Sequence, residues 1–147
     1  MYRLRKGLPA DFDQLLHIWE AAVRATHDFL DPADILFFKD IIQQHNAFAQ
    51  VAVTCITDEQ DQVLGFMGIA ADRLEMLFLH PEAIGKGLGK QLMQHAFSEY
   101  QITKVDVNEQ NEAARLFYEH VGFVVKSRSP LDGTGKPYPI LHMELNR

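Results

Sequence analysis

Residues 77–93 read LFLHPEAIGKGLGKQLM, and the fold follows from how that stretch changes character along its length. Continued backwards to Arg73, its first half is RLEMLFLH, an apolar run of strand length that Pro81 closes. Its second half is Gly85-Lys86-Gly87-Leu88-Gly89-Lys90, after which Leu88, Leu92, Met93, Ala96 and Phe97 recur at helical spacing to an end near Tyr100. Three alternate glycines between a strand and a helix suit anion binding. Without Cβ atoms, consecutive N–H groups can turn inward, and the helix N-terminus adds partial positive charge, so a diphosphate can be held mainly by main chain. Neither familiar phosphate loop fits. The P-loop spacing requires a glycine where Ile84 stands and Ser or Thr where Gln91 stands, and the dinucleotide fingerprint requires its third glycine one residue later.

Upstream, YRLR (2–5) alternates as a short strand, and Phe12, Leu15, Leu16, Ile18, Trp19, Ala22 and Val23 mark a helix from about Ala10 to Thr26. Asp31-Pro32 is an N-cap and first-turn pair for a second helix. The period then changes. Residues 49–57 and 63–71 are β-rich runs around the polar turn DEQDQ, an antiparallel hairpin that leads into the strand of residues 73–80. Downstream come a strand at 103–107, a helix over 108–121 stopped by Gly122, and two strands near 123–129 and 139–145 around PLDGTGKP. The order β-α-α-β-β-β-α-β-α-β-β describes an α/β (α+β) chain, a mixed central sheet of about seven strands with helices on both faces. No linker or repeat divides it, so one domain over 1–147 is expected.

Composition excludes several classes. With 147 residues, 47% apolar and 23% charged, the chain can build one ordinary core and is far from a disordered profile. A net charge of −6 argues against a nucleic-acid backbone as partner. No apolar run reaches the ~20 residues that cross a bilayer, and the N-terminus lacks a signal-like apolar stretch, so no membrane association and a cytoplasmic location are expected. The single cysteine, Cys55, alternates with Val51 and Val53 as a small buried apolar residue, which also fits a reducing compartment. The histidines have no metal-ligand spacing, and no metal is expected.

The run LFLHPEAIGKGLGKQLM, followed one strand later by VNEQNEAARLFYEHVGF (107–123), resembles the acetyl-coenzyme A binding core of the GCN5-related N-acetyltransferases. THDFL (26–30) and DGTGKPYPILHMEL (132–145) further resemble a small bacterial subgroup that includes a protein-lysine acetyltransferase. The resemblance implies that the backbone of Leu77, Phe78 and Leu79 pairs with the pantetheine arm and that Gly85, Lys86, Gly87, Leu88, Gly89 and Lys90 supply pyrophosphate donors. It also puts Asn111 on the cofactor and Tyr118 near its sulfur. Ile84 stands where the family usually has Gln or Arg, leaving closure of the loop to backbone donors and to Lys86 or Lys90. Acetyl-CoA is the implied cosubstrate, an amine-bearing acceptor the implied partner, and a homodimer common in the superfamily.

The chemistry so implied is acyl transfer from a thioester to an amine. An alkylammonium of pKa about 10.4 must lose a proton before it attacks, the tetrahedral intermediate needs an oxyanion donor, and the thiolate needs a proton. A backbone N–H near Met76 or Leu77 is the expected oxyanion donor and Tyr118 the expected acid, against a purely packing role beside Phe117. Some superfamily members carry a glutamate where this chain has Arg73, so Glu75, on the same strand face by period two, becomes the candidate base, against an exposed strand carboxylate. His27 and Asp28 are candidate acceptor-site residues; a helix-terminal histidine and a solvated aspartate are the plainer readings. Tyr138 joins them by subgroup resemblance. The cluster Asp28, Asp31 and Asp34 suits a cationic acceptor, and a cap and a solvated face explain it equally well. The rival to an enzyme is a non-catalytic acyl-CoA-binding regulatory module with the same fold.

Overall fold

The computed structural model describes residues 1–146. Its elements are β1 (Arg3–Lys6), α1 (Phe12–Thr26), α2 (Pro32–Gln44), β2 (Ala52–Thr57), β3 (Val63–Ala70), β4 (Arg73–Leu79), α3 (Leu88–Glu99), β5 (Lys104–Asn108), α4 (Glu112–His120), β6 (Phe123–Ser129) and β7 (Ile140–Leu145). The seven strands form one sheet in the order β1-β2-β3-β4-β5-β7-β6. Every pairing is antiparallel except β4 with β5. Two cores sandwich the sheet. On one face Leu15, Ile18, Trp19 and Val23 of α1 and Ile35 of α2 pack on Phe66 and Cys55; on the other, Leu88, Leu92, Met93 and Ala96 of α3 and Tyr118 of α4 pack on Met67, Val105 and Met143. Cys55 is fully buried, and the apolar surroundings push its thiol up to about 11.

Several boundaries differ from the sequence reading. A 3-10 turn at Pro9–Asp11 precedes α1, so the helix starts at Phe12 rather than Ala10. Another at Ala47–Gln50 takes the start of the run expected as strand, and β2 begins at Ala52. Helix α4 begins at Glu112, not Asn108, because Asn108 is still paired to Ile140 in the sheet and the side chain of Asn111 caps the helix, its Oδ1 accepting from Ala114 N at 3.2 Å. Leu116 of that helix, although apolar, is 51% exposed. The Asp31 cap forms as expected, Oδ1 accepting from Ala33 N at 2.9 Å.

Strand β4 is irregular in two ways. Gly68 pairs with Met76 and Ile69 with Leu74, so Glu75 is an extra residue bulged out of β4. The bulge resets the alternation. Leu74 and Leu77, three positions apart, both pack toward α3 and α4, while Met76 and Phe78 pack toward α1 and α2. Moreover, β4 and β5 pair only at Arg73–Lys104 and Leu74–Val105 and then diverge. The sheet is therefore open at its middle, between Glu75–Leu79 on one side and Asp106–Asn108 on the other.

Candidate active site

The glycine loop connects β4 to α3. Gly85 and Gly87 have φ of +86° and +75°, values that L side chains rarely adopt, and nothing lies within 4 Å of a Cβ built on either. Gly87 is also the N-cap of α3, and no side chain caps that helix. The loop is thus an open concavity at an uncapped, 12-residue helix whose first-turn N–H groups have no intrahelical partner. A methyl group at either glycine would project into that concavity. This backbone fits a diphosphate. Lys86, Lys90 and Ile84 are exposed, Ile84 by 50%, so its side chain is not folded in against the loop.

From the loop a channel of about 360 Å³ runs along β4, lined by Leu77, Phe78, Leu79 and Ile84 on one side and Asn111, Phe117 and Tyr118 on the other. At its inner end the split between β4 and β5 encloses a smaller cavity of about 120 Å³, lined by Glu75, Met76, Asp106, Asn108 and again Asn111 and Tyr118. Tyr118 lies where the two meet. Its side chain is packed edge-on against Phe117 and Phe123 and only 8% exposed, and burial alone pushes its phenol well above the ordinary tyrosine range. Its hydroxyl makes no hydrogen bond among the described residues, where no fully enclosed side-chain N or O lacks a partner, so the hydroxyl opens onto the cavity surface. The Oδ1 of Asn111 is engaged in the helix cap, which leaves its amide nitrogen for the cavities it lines.

His27, the residue that ends α1, borders both cavities. Its tautomer follows from its neighbour. The Thr26 hydroxyl donates to the carbonyl of Ala22 at 2.7 Å, so at 2.8 Å from His27 Nδ1 that oxygen can only accept. Nδ1 therefore carries the hydrogen and Nε2 is a free acceptor. Burial lowers the imidazole pKa, with Asp28 opposing only in part, so His27 is neutral at pH 7. Asp28 is exposed and lines neither cavity.

Tyr138 is tied down. Its hydroxyl donates to Asp34 and accepts from Asp31 N at 3.2 Å, and Lys136 Nζ reaches the other Asp34 oxygen at 2.9 Å. These bonds hold Asp34 below the usual carboxylate range and latch the β6–β7 connection to the start of α2. Two of the three clustered aspartates are thereby engaged, since Asp31 caps α2 and Asp34 is bound twice. The sequence reading missed one further arrangement. Ser129 Oγ lies 2.6 Å from His142 Nε2, His142 Nδ1 lies 2.8 Å from Asp106 Oδ1, and Arg73 reaches the same oxygen at 3.0 Å and Glu75 at 3.8 Å. Register alone places Asp106 opposite His142. Asp106 thus becomes a second carboxylate on the small cavity, beside Glu75, which a scan for local spacing had no means of finding.

A seven-stranded mixed sheet split between its parallel strands, with a glycine loop and helix N-terminus at the mouth of the split, is the architecture of an acyl-CoA-dependent transferase. The family model described as an acetyltransferase (GNAT) domain matches residues 50–125, and the chain belongs to that family. It is 36% identical over 143 residues, 97% of each chain, to the peptidyl-lysine N-acetyltransferase YjaB of Salmonella typhimurium. The solution structure of apo-form YjaB from Escherichia coli superposes with a TM-score of 0.88 at 35% identity, covering 99% of this chain and 97% of that one. The PaiA N-acetyltransferase of Thermoplasma acidophilum, solved in complex with coenzyme A, shares the fold at a TM-score of 0.74 and 20% identity, over 99% of both chains. The chain is accordingly an N-acetyltransferase, an acyltransferase that moves an acetyl group from acetyl-CoA to an amine. Catalysis, rather than cofactor sensing without turnover, is the reading these relatives favour.

Proposed function

We propose that the acceptor is the side-chain amine of a protein lysine and that residues 1–147 act as one transferase unit. The observation that carries the site assignment is the split between β4 and β5, which brings Tyr118, Glu75 and the bulged backbone at Met76 around one cavity at the end of the channel. Names of relatives aligned over nearly the full length support the lysine. In this reading the amides of Gly85 to Lys90 hold the diphosphate of acetyl-CoA, and the free edge of Leu77–Leu79 pairs with its pantetheine arm. Bound there, the cosubstrate supplies the thioester carbonyl.

The ammonium enters from the far side of the split. Glu75 balances its charge, and Glu75 or the Nε2 of His27, which burial keeps neutral, takes its proton. The amine then attacks the carbonyl carbon while a backbone N–H beside the bulge, at Met76 or Leu77, stabilises the oxyanion. Collapse breaks the C–S bond, and the Tyr118 hydroxyl delivers the proton to sulfur. Its raised pKa makes it a donor throughout the working range and never a base. Incubation with acetyl-CoA and lysine peptides, with thiol release and product mass both followed, tests the proposal. Release that depends on the peptide supports it, and release indifferent to any peptide refutes it.

A further inference from the structure

We infer that the acceptor amine is carried on an apolar body, in a peptide a lysine flanked by a large apolar side chain, which a chamber between α1 and α2 receives. The inference rests on the proposed acetyl transfer to lysine. The chamber has a volume of about 300 Å³ and is walled by Trp19 and Val23 of α1, Phe38, Ile41 and Ile42 of α2, and Phe78 of β4. It adjoins the reaction cavity, because His27, Phe78 and Asn108 line both. An acceptor whose nitrogen lies beside Glu75 and Tyr118 therefore has its neighbouring atoms pass Asn108 and His27 into an apolar space. Tyr138, which the latch on Asp34 holds in place, also lines that space.

A polycationic acceptor would need carboxylates there; two of those nearby are engaged, and a third is held on one oxygen by its own turn. Asp31 caps α2, and Asp34 holds Lys136 and Tyr138. Asp132, which does line the chamber, accepts on one oxygen from Thr134 N at 2.9 Å, the Thr134 hydroxyl at 2.6 Å and Lys136 N at 3.0 Å. The same Lys136 Nζ that pairs with Asp34 also sits 4.5 Å from the centroid of the Phe37 ring. A second ammonium would lose its water to apolar walls with little in return, whereas a leucine or phenylalanine side chain would shed only apolar surface.

Ile41 is the informative position, since it lines the chamber but belongs to neither core cluster. The test measures kcat/KM by thiol release with blocked peptides Gly-X-Lys-X-Gly, where X is Leu, Ser or Lys, and with phenethylamine and spermidine as free amines. The expected order is X = Leu over Ser by about tenfold or more, with X = Lys and spermidine poorest. In Ile41→Glu the order inverts, the Leu peptide losing and the Lys peptide gaining about tenfold, while coenzyme A affinity by calorimetry stays at the wild-type value. A misfolded variant cannot gain on one substrate. Equal rates for the Leu and Ser peptides, or an equal fall on all acceptors in Ile41→Glu, overturn the inference alone. Turnover of phenethylamine together with none of any lysine peptide overturns the lysine assignment and sustains the apolar acceptor. Thiol release that no amine accelerates overturns both.

Discussion

Replacing Tyr118 with Phe separates chemistry from stability more cleanly than any other single change. The ring is packed between Phe117 and Phe123, so Phe keeps the core contacts, and only the hydroxyl is lost. In the folded chain that hydroxyl is largely desolvated and has no hydrogen-bond partner among the described residues. Leaving such a group unpaired costs about 1–3 kcal/mol when desolvation is complete. Because the oxygen still opens onto a cavity, a smaller figure applies, and Tyr118→Phe should be neutral or stabilising by up to about 1 kcal/mol, a rise in Tm of about 2–4 °C. Loss of the proton donor should lower kcat by about 10²–10⁴-fold, the usual worth of general acid catalysis, with coenzyme A affinity unchanged. The assays are thermal unfolding followed by circular dichroism, calorimetry with coenzyme A, and steady-state thiol release. A variant with wild-type kcat refutes the assignment of Tyr118 as acid. One that loses both activity and stability shows instead that the hydroxyl holds the fold together, which contradicts its position at the cavity surface.

Three further outcomes are expected. Gly87→Ala puts a methyl group into the open diphosphate cradle at φ +75°, so coenzyme A should bind at least about tenfold more weakly, equivalent to about 1.4 kcal/mol by calorimetry; an unchanged Kd removes the loop from the cofactor site. For His27, burial lowers the folded pKa below the reference value of about 6.5, so its contribution to stability is complete above that pH and is lost as pH falls through the folded value. Activity should show an acid limb in the same window, and His27→Gln should flatten that limb and lower kcat/KM by about tenfold or more. An unaltered limb in His27→Gln assigns the base to another group, with Glu75→Gln and Asp106→Asn the next comparisons. For the latch, Asp34 has a lowered folded pKa, so its stabilising contribution is present above the ordinary carboxylate range and disappears as pH falls through the folded value. Tyr138→Phe should reduce the difference in Tm between pH 7 and pH 3, and an identical difference in the two proteins contradicts the latch.

How much of the molecule was legible in the sequence depends on whether the deciding contacts are local. The β4–loop–α3 unit was readable because its signals are the residues themselves: an apolar run, a proline stop, and glycines where the backbone takes positive φ. The Asp31 cap is equally local. The start of α4 was not, because nothing in the periodicity of residues 108–111 says that Asn108 is held in the sheet by Ile140, 32 positions later. The bulge at Glu75 exists only in the register between β3 and β4, and the split of the sheet only in the two residue pairs that β4 makes with β5. Asp106 looked like any polar position on an alternating strand until His142 and Arg73 were placed around it. The acidic cluster stayed open between two readings for the same reason, because the partners of Asp34, Lys136 and Tyr138, come from the other end of the chain.

Acetyl transfer through Tyr118 is tested most simply by a single time course of the purified protein with acetyl-CoA and a blocked Leu-flanked lysine peptide, in which free coenzyme A and peptide mass are quantified together. One acetyl group should appear on the lysine for each thiol released, and both should collapse in Tyr118→Phe while coenzyme A binding persists. Thiol release without peptide acetylation, or acetylation at the same rate in Tyr118→Phe, would contradict that mechanism.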